Sequence, residues 1–250
     1  MERLGYIVRL NRRNCGMKEE ARYVRQLSLP EIGERGQELL SASKVLIIGA
    51  GGLGSPVALY LAAAGIGTLG ILDYDCVSAS NFNRQILYEE ADEGKRKADA
   101  AAERIRRQNS HVQIEVYPEQ ITRADYNRAL EIIAKYDIVV DACDNMATRY
   151  LVSDITEQLS IPFVYGAMEG FCGYVSVFND ASSCRRFREL WPEEGQEFPH
   201  EIPAMGVTAG VIGCLQANEV IKRICGFGER LTGKLLTVDL CNMEFHVISI

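Results

Sequence analysis

The sequence predicts an α/β fold whose core is an open, doubly wound sheet, and three observations support that prediction. Short apolar segments alternate with longer amphipathic segments between residues 44 and 159, which is the pattern of strands and crossover helices. A glycine-rich turn follows the first of these apolar segments. The last third of the chain instead alternates apolar and polar residues, as antiparallel strands do. We therefore expect a mixed sheet with an antiparallel C-terminal part.

Local patterns predict each element in chain order. Two polar helices precede the sheet, apolar and β-branched segments form the strands, and glycine marks several of the turns between them. Amphipathic patterning predicts helices at 19–27, 33–42, 53–65, 95–108, 124–134, 146–159 and 208–224. Apolar runs and alternation predict strands at 44–48, 68–72, 113–117, 137–141, 163–165, 170–178, 235–240 and 245–250.

The first strand leads into a turn with G-x-G-x-x-G spacing, formed by Gly49, Gly51 and Gly54. The first glycine of such a turn permits the sharp bend, the second lets backbone N–H groups approach phosphate oxygens, and the third lets the helix pack closely on the sheet. Asp73 ends the next strand, nineteen positions after Gly54. This unit is typical of a Rossmann-like nucleotide site, with the positive end of the helix directed at the phosphates.

The length of 250 residues suits one large α/β domain, and no linker-like segment divides it. We expect residues 1–16 to be a flexible extension and residues 17–250 to be a single domain. The charged stretch at about 182–203 lacks strand character, and we expect it to be a mobile segment that covers a bound partner. The net charge of -7 argues against nucleic acid as a partner.

Cysteine and glycine usage indicates a cytoplasmic protein that contacts no membrane. The eight cysteines contain no C-x-x-C pair, which is typical of reduced thiols rather than of a disulfide framework. Residues 45–72 carry no charge, but seven glycines interrupt them, so strand, turn and short helix fit better than a membrane span. Residues 1–16 lack the continuous apolar core of a secretion signal.

Positively charged residues follow the second strand, where open α/β sheets collect ligands. Arg84 lies in the polar loop after this strand, and Lys95, Arg96 and Lys97 are predicted to share the first turn of the next helix. Cations there oppose the helix dipole by roughly 0.3–1 kcal/mol each. Neutralising a polyphosphate would offset that cost. We expect Lys95 and Arg96 to be solvated surface cations and Lys97 to share phosphate charge with Arg84.

Acidic residues follow two strands of the predicted sheet. Asp73 could hydrogen-bond ribose hydroxyls or could merely end a buried strand, and we favour the ribose role. After the strand that ends at Asp141, either Asp144 or Asn145 could cap the next helix, and capping competes evenly with metal binding. If the ligand is a triphosphate, a carboxylate must hold its magnesium, and Asp144 is the best-placed candidate. The sequence has no evident protein nucleophile.

A longer set of motifs extends this pattern from about residue 20 to residue 245. Its members are Arg22-Tyr23-x-Arg25-Gln26, Gly49-Ala-Gly-Gly-Leu-Gly54, Asp73-x-Asp75, Ser80-Asn81-x-x-Arg84-Gln85, Lys97, Asp144-Asn145 and Gly213-x-Leu-Gln-Ala-x-Glu219. This set, in its order and spacing, resembles the ThiF/MoeB adenylyltransferases of thiamine and molybdopterin biosynthesis, which are relatives of the ubiquitin-activating enzymes.

The resemblance implies ATP- and magnesium-dependent adenylation of the C-terminal Gly-Gly carboxylate of a small ubiquitin-like sulfur carrier, with release of pyrophosphate. It implies that Arg84 and Lys97 bind the phosphates and that Asp144 is linked to magnesium. It also implies a homodimer in which Arg25 enters the site of the neighbouring subunit. The residues implied in nucleotide binding are Gly49, Gly51, Gly52, Gly54, Asp73, Asp75, Ser80, Asn81 and Asn145.

The chain departs from the family pattern in two places. Cys184 keeps one thiol of a first zinc-binding C-x-x-C pair, whereas Phe187 stands at the second position and no second pair follows. Zinc is therefore not expected. The segment 198–203, before the last helix, has no cysteine, so sulfur transfer through a thiol there is not supported. Cys184 could substitute, but we expect it to be a plain surface thiol.

Three other functions remain open. A nicotinamide-dependent oxidoreductase would use the same glycines and Asp73, but it leaves Arg84, Lys97 and Asp144 without a role. A catalytically silent scaffold that binds a ubiquitin-like tail would fit the missing cysteines. A relative that adenylates a small carboxylate on a transfer-RNA nucleoside is disfavoured by the acidic balance. The patterns do not identify the carrier, its pathway or the sulfur donor.

Overall fold

The computed structural model of the protein describes residues 17–180, 186–192 and 203–250. The strands are β1 (Lys44–Ile48), β2 (Thr68–Leu72), β3 (Gln113–Tyr117), β4 (Ile138–Asp141), β5 (Phe163–Glu169), β6 (Cys172–Phe178), β7 (Lys234–Asp239) and β8 (Glu244–Ser249). The helices are α1 (Met17–Leu27), α2 (Gly33–Ala42), α3 (Gly54–Ala64), α4 (Lys97–Gln108), α5 (Tyr126–Ile133), α6 (Met146–Leu159), α7 (Phe187–Leu190) and α8 (Gly206–Cys225).

All eight strands form one sheet in the order β3-β2-β1-β4-β5-β6-β7-β8. The pairs from β3 to β5 are parallel, and those from β5 to β8 are antiparallel. The prediction of a mixed, Rossmann-like sheet with an antiparallel C-terminal part is confirmed. Strand β5 continues beyond the predicted end at residue 165, because it pairs with β6 up to a tight hairpin at Gly170, whose φ is +57°.

The parallel register brings three strand ends to one edge of the sheet. Ile48 of β1 pairs with Leu72 of β2 on one side and with Asp141 of β4 on the other. The chain therefore winds away from β1 in both directions, and the edge above β1 is the point where the strand order reverses. Open α/β sheets bind their ligands at such a point.

Apolar side chains cover both faces of the sheet. Val45 and Ile47 of β1 belong to a cluster with residues of α3, α4 and α8, whereas Leu46 and Ile48 belong to a cluster with residues of α5 and α6. Each of these four side chains is at most 1% exposed. Burial on both faces explains the uninterrupted apolar run of β1, and each such side chain contributes about 1.5–3 kcal/mol on burial.

Gly70 in the middle of β2 makes room for a buried tyrosine. A Cβ at Gly70 would lie 2.3 Å from the hydroxyl oxygen of Tyr136. This hydroxyl donates a hydrogen bond to Glu115 Oε2 at 3.0 Å and lies 3.1 Å from the hydroxyl of Tyr117. The tyrosine ring thus packs on the face covered by α5 and α6.

The charged stretch after β6 contains one described helix. In α7, Phe187 is 2% exposed and packs against Phe178 and Trp191. Residues 182–185, which include Cys184, and residues 193–202 lie outside the described residues, as does the N-terminal stretch 1–16. The expectation of a mobile cover over a partner therefore stays a prediction. Among the described helices, none combines the length and apolar character needed to cross a membrane.

Candidate functional site

The glycine turn between β1 and α3 requires glycine at its first and last positions. Gly49 has a φ of +91°, and a Cβ there would lie 2.6 Å from the backbone oxygen of Ala142. A Cβ on Gly54 would lie 2.0 Å from the backbone oxygen of Gly49. The turn therefore presses against the segment that follows β4. Gly51 and Gly52 are partly exposed, so their backbone is accessible to a ligand.

The carboxylate of Asp73 lies directly beside this turn. Its Oδ2 accepts a hydrogen bond from the Ala50 N–H at 2.7 Å, and its Oδ1 accepts one from the Asp75 N–H at 2.9 Å. Burial raises the pKa of Asp73, and the hydrogen bond from Ala50 and the charge of Lys97 lower it in part. A carboxylate offers about four acceptor positions, so about two remain for ribose hydroxyls.

Lys97 supplies a buried cation next to Asp73. Its Nζ lies 2.8 Å from Asp75 Oδ2, and its side chain is only 7% exposed. Its backbone N–H also donates to the Asp75 backbone oxygen at 2.8 Å. A buried ammonium is stable only with such a partner, so Asp75 holds the lysine in place.

The expectation that Lys95, Arg96 and Lys97 share a helical turn is wrong. Helix α4 begins at Lys97, because Arg96 is extended and forms a bridge with Cys76. Lys95 Nζ pairs with Asp92 Oδ1 at 2.9 Å, and Arg96 pairs with Asp99. Lys95 and Arg96 are both exposed, which confirms that they are surface cations. Only Lys97 of the three therefore joins the site.

Arg84 lies against the other side of the glycine turn. A Cβ on Gly52 would lie 3.6 Å from Arg84 Cγ. The guanidinium Nη1 donates to the backbone oxygen of Ser80 at 2.8 Å and to Asn83 Oδ1 at 3.0 Å. These neutral acceptors leave the charge of Arg84 uncompensated. A half-buried guanidinium thus lies beside the turn, while the ammonium of Lys97 lies near Asp73, which binds the turn.

Ser80 and Asn81 shape the loop that carries Arg84. Asn81 is buried, and its Oδ1 accepts the Ser78 N–H at 3.1 Å. The hydroxyls of Ser78 and Ser80 lie 2.9 Å apart.

The loop also carries Gln85, which was not among the candidate site residues. Its Oε1 is buried and finds no partner within the described part of the chain, and its amide lies 3.6 Å from a Cβ built on Gly51. Such an oxygen needs a donor from a ligand or from water.

The choice between Asp144 and Asn145 as helix cap is decided by geometry. Asn145 is the N-cap of α6, and its Oδ1 accepts the Thr148 N–H at 2.9 Å. Asp144 is exposed, and its carboxylate has no ion pair or hydrogen bond among the residues described. Burial raises the pKa of Tyr74, and the charges of Asp75, Asp144 and Asp73 raise it further.

A buried ion pair that the sequence reasoning did not assign holds the segment carrying Asp144. Arg149 Nε donates to Asp141 Oδ2 at 2.6 Å, and its Nη2 donates to the Cys143 backbone oxygen at 2.8 Å. The guanidinium also lies 5.1 Å from the centre of the Tyr165 ring. An acidic residue at the end of an otherwise apolar strand was the available signal, because a buried carboxylate needs a cation. Burial raises the pKa of the Cys143 thiol, which therefore stays protonated.

Arg25 does not join this cluster within the chain. It lies exposed near the end of α1, and its backbone oxygen accepts a hydrogen bond from the Ser28 hydroxyl at 2.7 Å. No side-chain contact links it to the glycine turn in the part of the chain that is described.

The carboxylates near the glycine turn suit a metal ion that binds together with a phosphate ligand. No group of three or more His, Cys, Asp and Glu side chains in the described ranges is arranged to hold a metal ion. Magnesium commonly binds through one or two carboxylates together with phosphate oxygens and water. The unpaired carboxylate of Asp144 fits this mode.

The pKa of Asp73 provides a test of this charge arrangement. We expect Lys97→Met to raise it further, because the variant removes a nearby positive charge. A carboxyl with a raised folded pKa contributes its full stability below the unfolded-chain pKa of 3.8, and it loses that contribution as pH rises through the folded pKa. In the variant, the unfolding free energy should therefore continue to fall to a higher pH than it does in the wild type. Carbon NMR of the Asp73 carboxyl and urea unfolding at several pH values measure both effects.

Lys95→Met is the matched control, since Lys95 pairs with Asp92 and not with the site. An Asp73 pKa that is unchanged or lowered in Lys97→Met would contradict the arrangement.

Comparisons with known proteins identify the family of the chain. The model of the ThiF family matches residues 23–250. Adenylyltransferase and sulfurtransferase MOCS3-1 of Zea mays is 44% identical over 92% of this chain and 49% of its own length. Sulfur carrier protein adenylyltransferase of Thermus thermophilus is 41% identical over 93% of this chain and 88% of its own length. The chain spans about half the length of the MOCS3 relatives that it matches.

Solved structures share the fold. The crystal structure of PaaA is 29% identical, with a TM-score of 0.80 over 93% of this chain and 74% of that one. The structure of Escherichia coli MccB with ATP has the same TM-score of 0.80 at 23% identity, over 91% of this chain and 71% of that one, and at this identity it speaks for the fold alone. With its glycine turn, its flanking cations and a family match over almost its whole length, the chain belongs to the ThiF family.

Proposed function

We propose that this protein uses ATP and magnesium to adenylate the C-terminal Gly-Gly carboxylate of a small ubiquitin-like sulfur carrier, releasing pyrophosphate. The observation that carries the proposal is the buried ammonium of Lys97, which lies beside Asp75 and the glycine turn. The name of the Thermus thermophilus relative, a sulfur carrier protein adenylyltransferase, supports it.

The nucleotide would bind over the glycine turn. Asp73 would accept hydrogen bonds from the ribose hydroxyls, and its existing bonds from Ala50 and Asp75 hold it in position for this role. The partly exposed backbone of Gly51 and Gly52 would face the phosphates, with the positive end of α3 behind it. Asn81 and Asn145 use their side-chain oxygens in backbone hydrogen bonds, so they would act by shaping the loops around the nucleotide.

The cations would neutralise the charge of the leaving pyrophosphate. Arg84, whose present acceptors are neutral, would reach the phosphates from one side. Lys97 would exchange its bond to Asp75 for one to a phosphate oxygen. Magnesium, linked to Asp144, would supply further positive charge to the phosphate oxygens. These three side chains come from the β2–α4 and β4–α6 connections, which follow the two strands that flank β1, so they would stabilise charge without moving far.

The reaction itself needs no protein nucleophile. A carboxylate oxygen of the carrier tail attacks the α-phosphorus, a new P–O bond forms, and the bond to the bridging oxygen breaks with its electrons leaving on pyrophosphate. The protein positions the two reactants and stabilises the developing charge. The protonated thiol of Cys143 is not suited to attack.

The same residues weigh against the alternatives. A nicotinamide enzyme requires the glycine turn and Asp73 but has no need for a buried lysine or for a free carboxylate at Asp144. A silent scaffold has no need for the buried lysine or for the free carboxylate.

We further propose that residues 17–250 form one cytoplasmic adenylation domain. We also propose a homodimer in which Arg25, which is exposed and has no described side-chain contact with the glycine turn of its own chain, completes the partner's site.

Pyrophosphate exchange into ATP, with a carrier protein ending in Gly-Gly, tests the activity. We expect exchange by the wild-type protein and a loss of about 10²-fold or more in Asp144→Ala, because one charged ligand of the magnesium is removed. Asp99→Ala is the control, since Asp99 is a partly exposed aspartate that pairs with Arg96 rather than with the site. Absence of exchange in the folded wild type, with a folded carrier, would refute the proposal. NADH binding tighter than Mg-ATP binding would favour the oxidoreductase.

Mixed dimers test the role of Arg25. In a dimer of one Arg25→Ala and one Arg84→Ala subunit, one of the two sites retains both arginines if Arg25 acts across the interface. Random mixing of the two inactive variants should then restore about a quarter of wild-type exchange, because half of the dimers are mixed and each has one intact site. Activity equal to the mean of the two parent variants would exclude this arrangement.

A further inference from the structure

Tyr88 places a hydroxyl group beneath the glycine turn. It lies in the loop between β2 and α4 and is 7% exposed. Its hydroxyl donates a hydrogen bond to the Ala50 backbone oxygen at 2.8 Å and lies 3.3 Å from the Lys97 backbone oxygen. Burial raises the pKa of Tyr88, so the hydroxyl keeps its proton and remains a donor. The turn and the start of α4 are thus joined through one side chain.

The hydrogen bond from Tyr88 and the one to Asp73 together hold the backbone of Ala50 in place. The N–H of Ala50 is bound by Asp73 and its carbonyl group is bound by Tyr88, so both of its backbone polar groups are used. Ala50 is also buried, with 1% exposure. Rotation of this residue within the turn would break two short hydrogen bonds.

The orientation of Ala50 determines the orientation of the next N–H group. A trans peptide is planar, and its C=O and N–H groups point in opposite directions. Since the Ala50 carbonyl points inward to Tyr88, the Gly51 N–H points outward. Gly51 is partly exposed, and its N–H has no acceptor among the described residues. An N–H group in this position is free to donate to an acceptor from outside the chain, whether a phosphate oxygen or water.

We propose that Tyr88 is a positioning residue that, through the Ala50 carbonyl, aims the Gly51 N–H at a phosphate oxygen of the bound nucleotide. This inference rests on the proposed function, because it takes the ligand to be ATP. Tyr88 does not touch the nucleotide, and its effect is confined to the phosphate part of the ligand.

Tyr88→Phe removes the hydroxyl and keeps the buried ring. We expect the Kd for Mg-ATP to rise about tenfold, since a charge-assisted hydrogen bond from Gly51 is lost or misaligned. The Kd for adenosine should stay within about twofold of wild type, because adenosine has no phosphate and its ribose is held by Asp73. A purely structural defect would weaken both ligands alike. Calorimetric titration of the two ligands measures this ratio.

Tyr136→Phe is the matched control. Tyr136 is also a buried tyrosine, but its hydroxyl bonds to Glu115 on the opposite face of the sheet. This variant should lose stability without changing the ratio of the ATP and adenosine Kd values. Equal Kd values for Mg-ATP in wild type and Tyr88→Phe would overturn the inference alone, as would equal weakening of both ligands. Failure of the wild-type protein to bind Mg-ATP would overturn the inference and the proposed function together.

Discussion

The buried carboxylate of Asp73 is the group on which the geometry of the site depends. It binds the Ala50 N–H of the glycine turn and the Asp75 N–H of the next loop, so it joins two segments that leave neighbouring strands. Burial makes its charge costly, and the cluster around it offsets that cost through hydrogen bonds and through Lys97. The orientation of the turn and the location of the cation therefore depend on the same carboxylate.

Helix α8 also supports this edge of the sheet. Gln216 of α8 donates from its Nε2 to the backbone oxygen of Asp141 at 2.6 Å, and a Cβ on Gly166 would lie 2.3 Å from the Gln216 side chain. The start of α8 is equally close to the Arg84 loop, since a Cβ on Gly206 would lie 2.2 Å from the Asn83 backbone oxygen. Helix α8 thus holds the loop after β2 and the end of β4 in one arrangement.

Periodicity predicted most of the fold because its elements are locally determined. The apolar runs of β1 and β2 and the alternation of β3 are strong local signals, and the bounds of these strands agree with the structure. The errors lie where tertiary contacts prevail. The extended bridge of Arg96 to Cys76 delays the start of α4, and pairing with β6 lengthens β5.

The candidate site was only partly predictable for the same reason. Glycine spacing and strand ends identified Asp73 and the turn, because parallel strands bring their carboxyl ends together whatever the details of packing. The roles of Gln216 and Tyr88 depend on carbonyl groups that are distant in sequence, and no local pattern predicts such partners. Asp144 and Asn145 are adjacent and chemically similar helix-capping residues. Only the observed hydrogen bond from the Thr148 N–H to Asn145 Oδ1 shows which of them is the cap.

A crystal structure of the protein with Mg-ATP tests the central claim most directly. The account predicts ribose hydroxyls within hydrogen-bond distance of Asp73 and the Lys97 ammonium transferred from Asp75 to a phosphate oxygen. A bound nucleotide whose phosphates lie away from the glycine turn, with the Lys97 ammonium still 2.8 Å from Asp75, would contradict it.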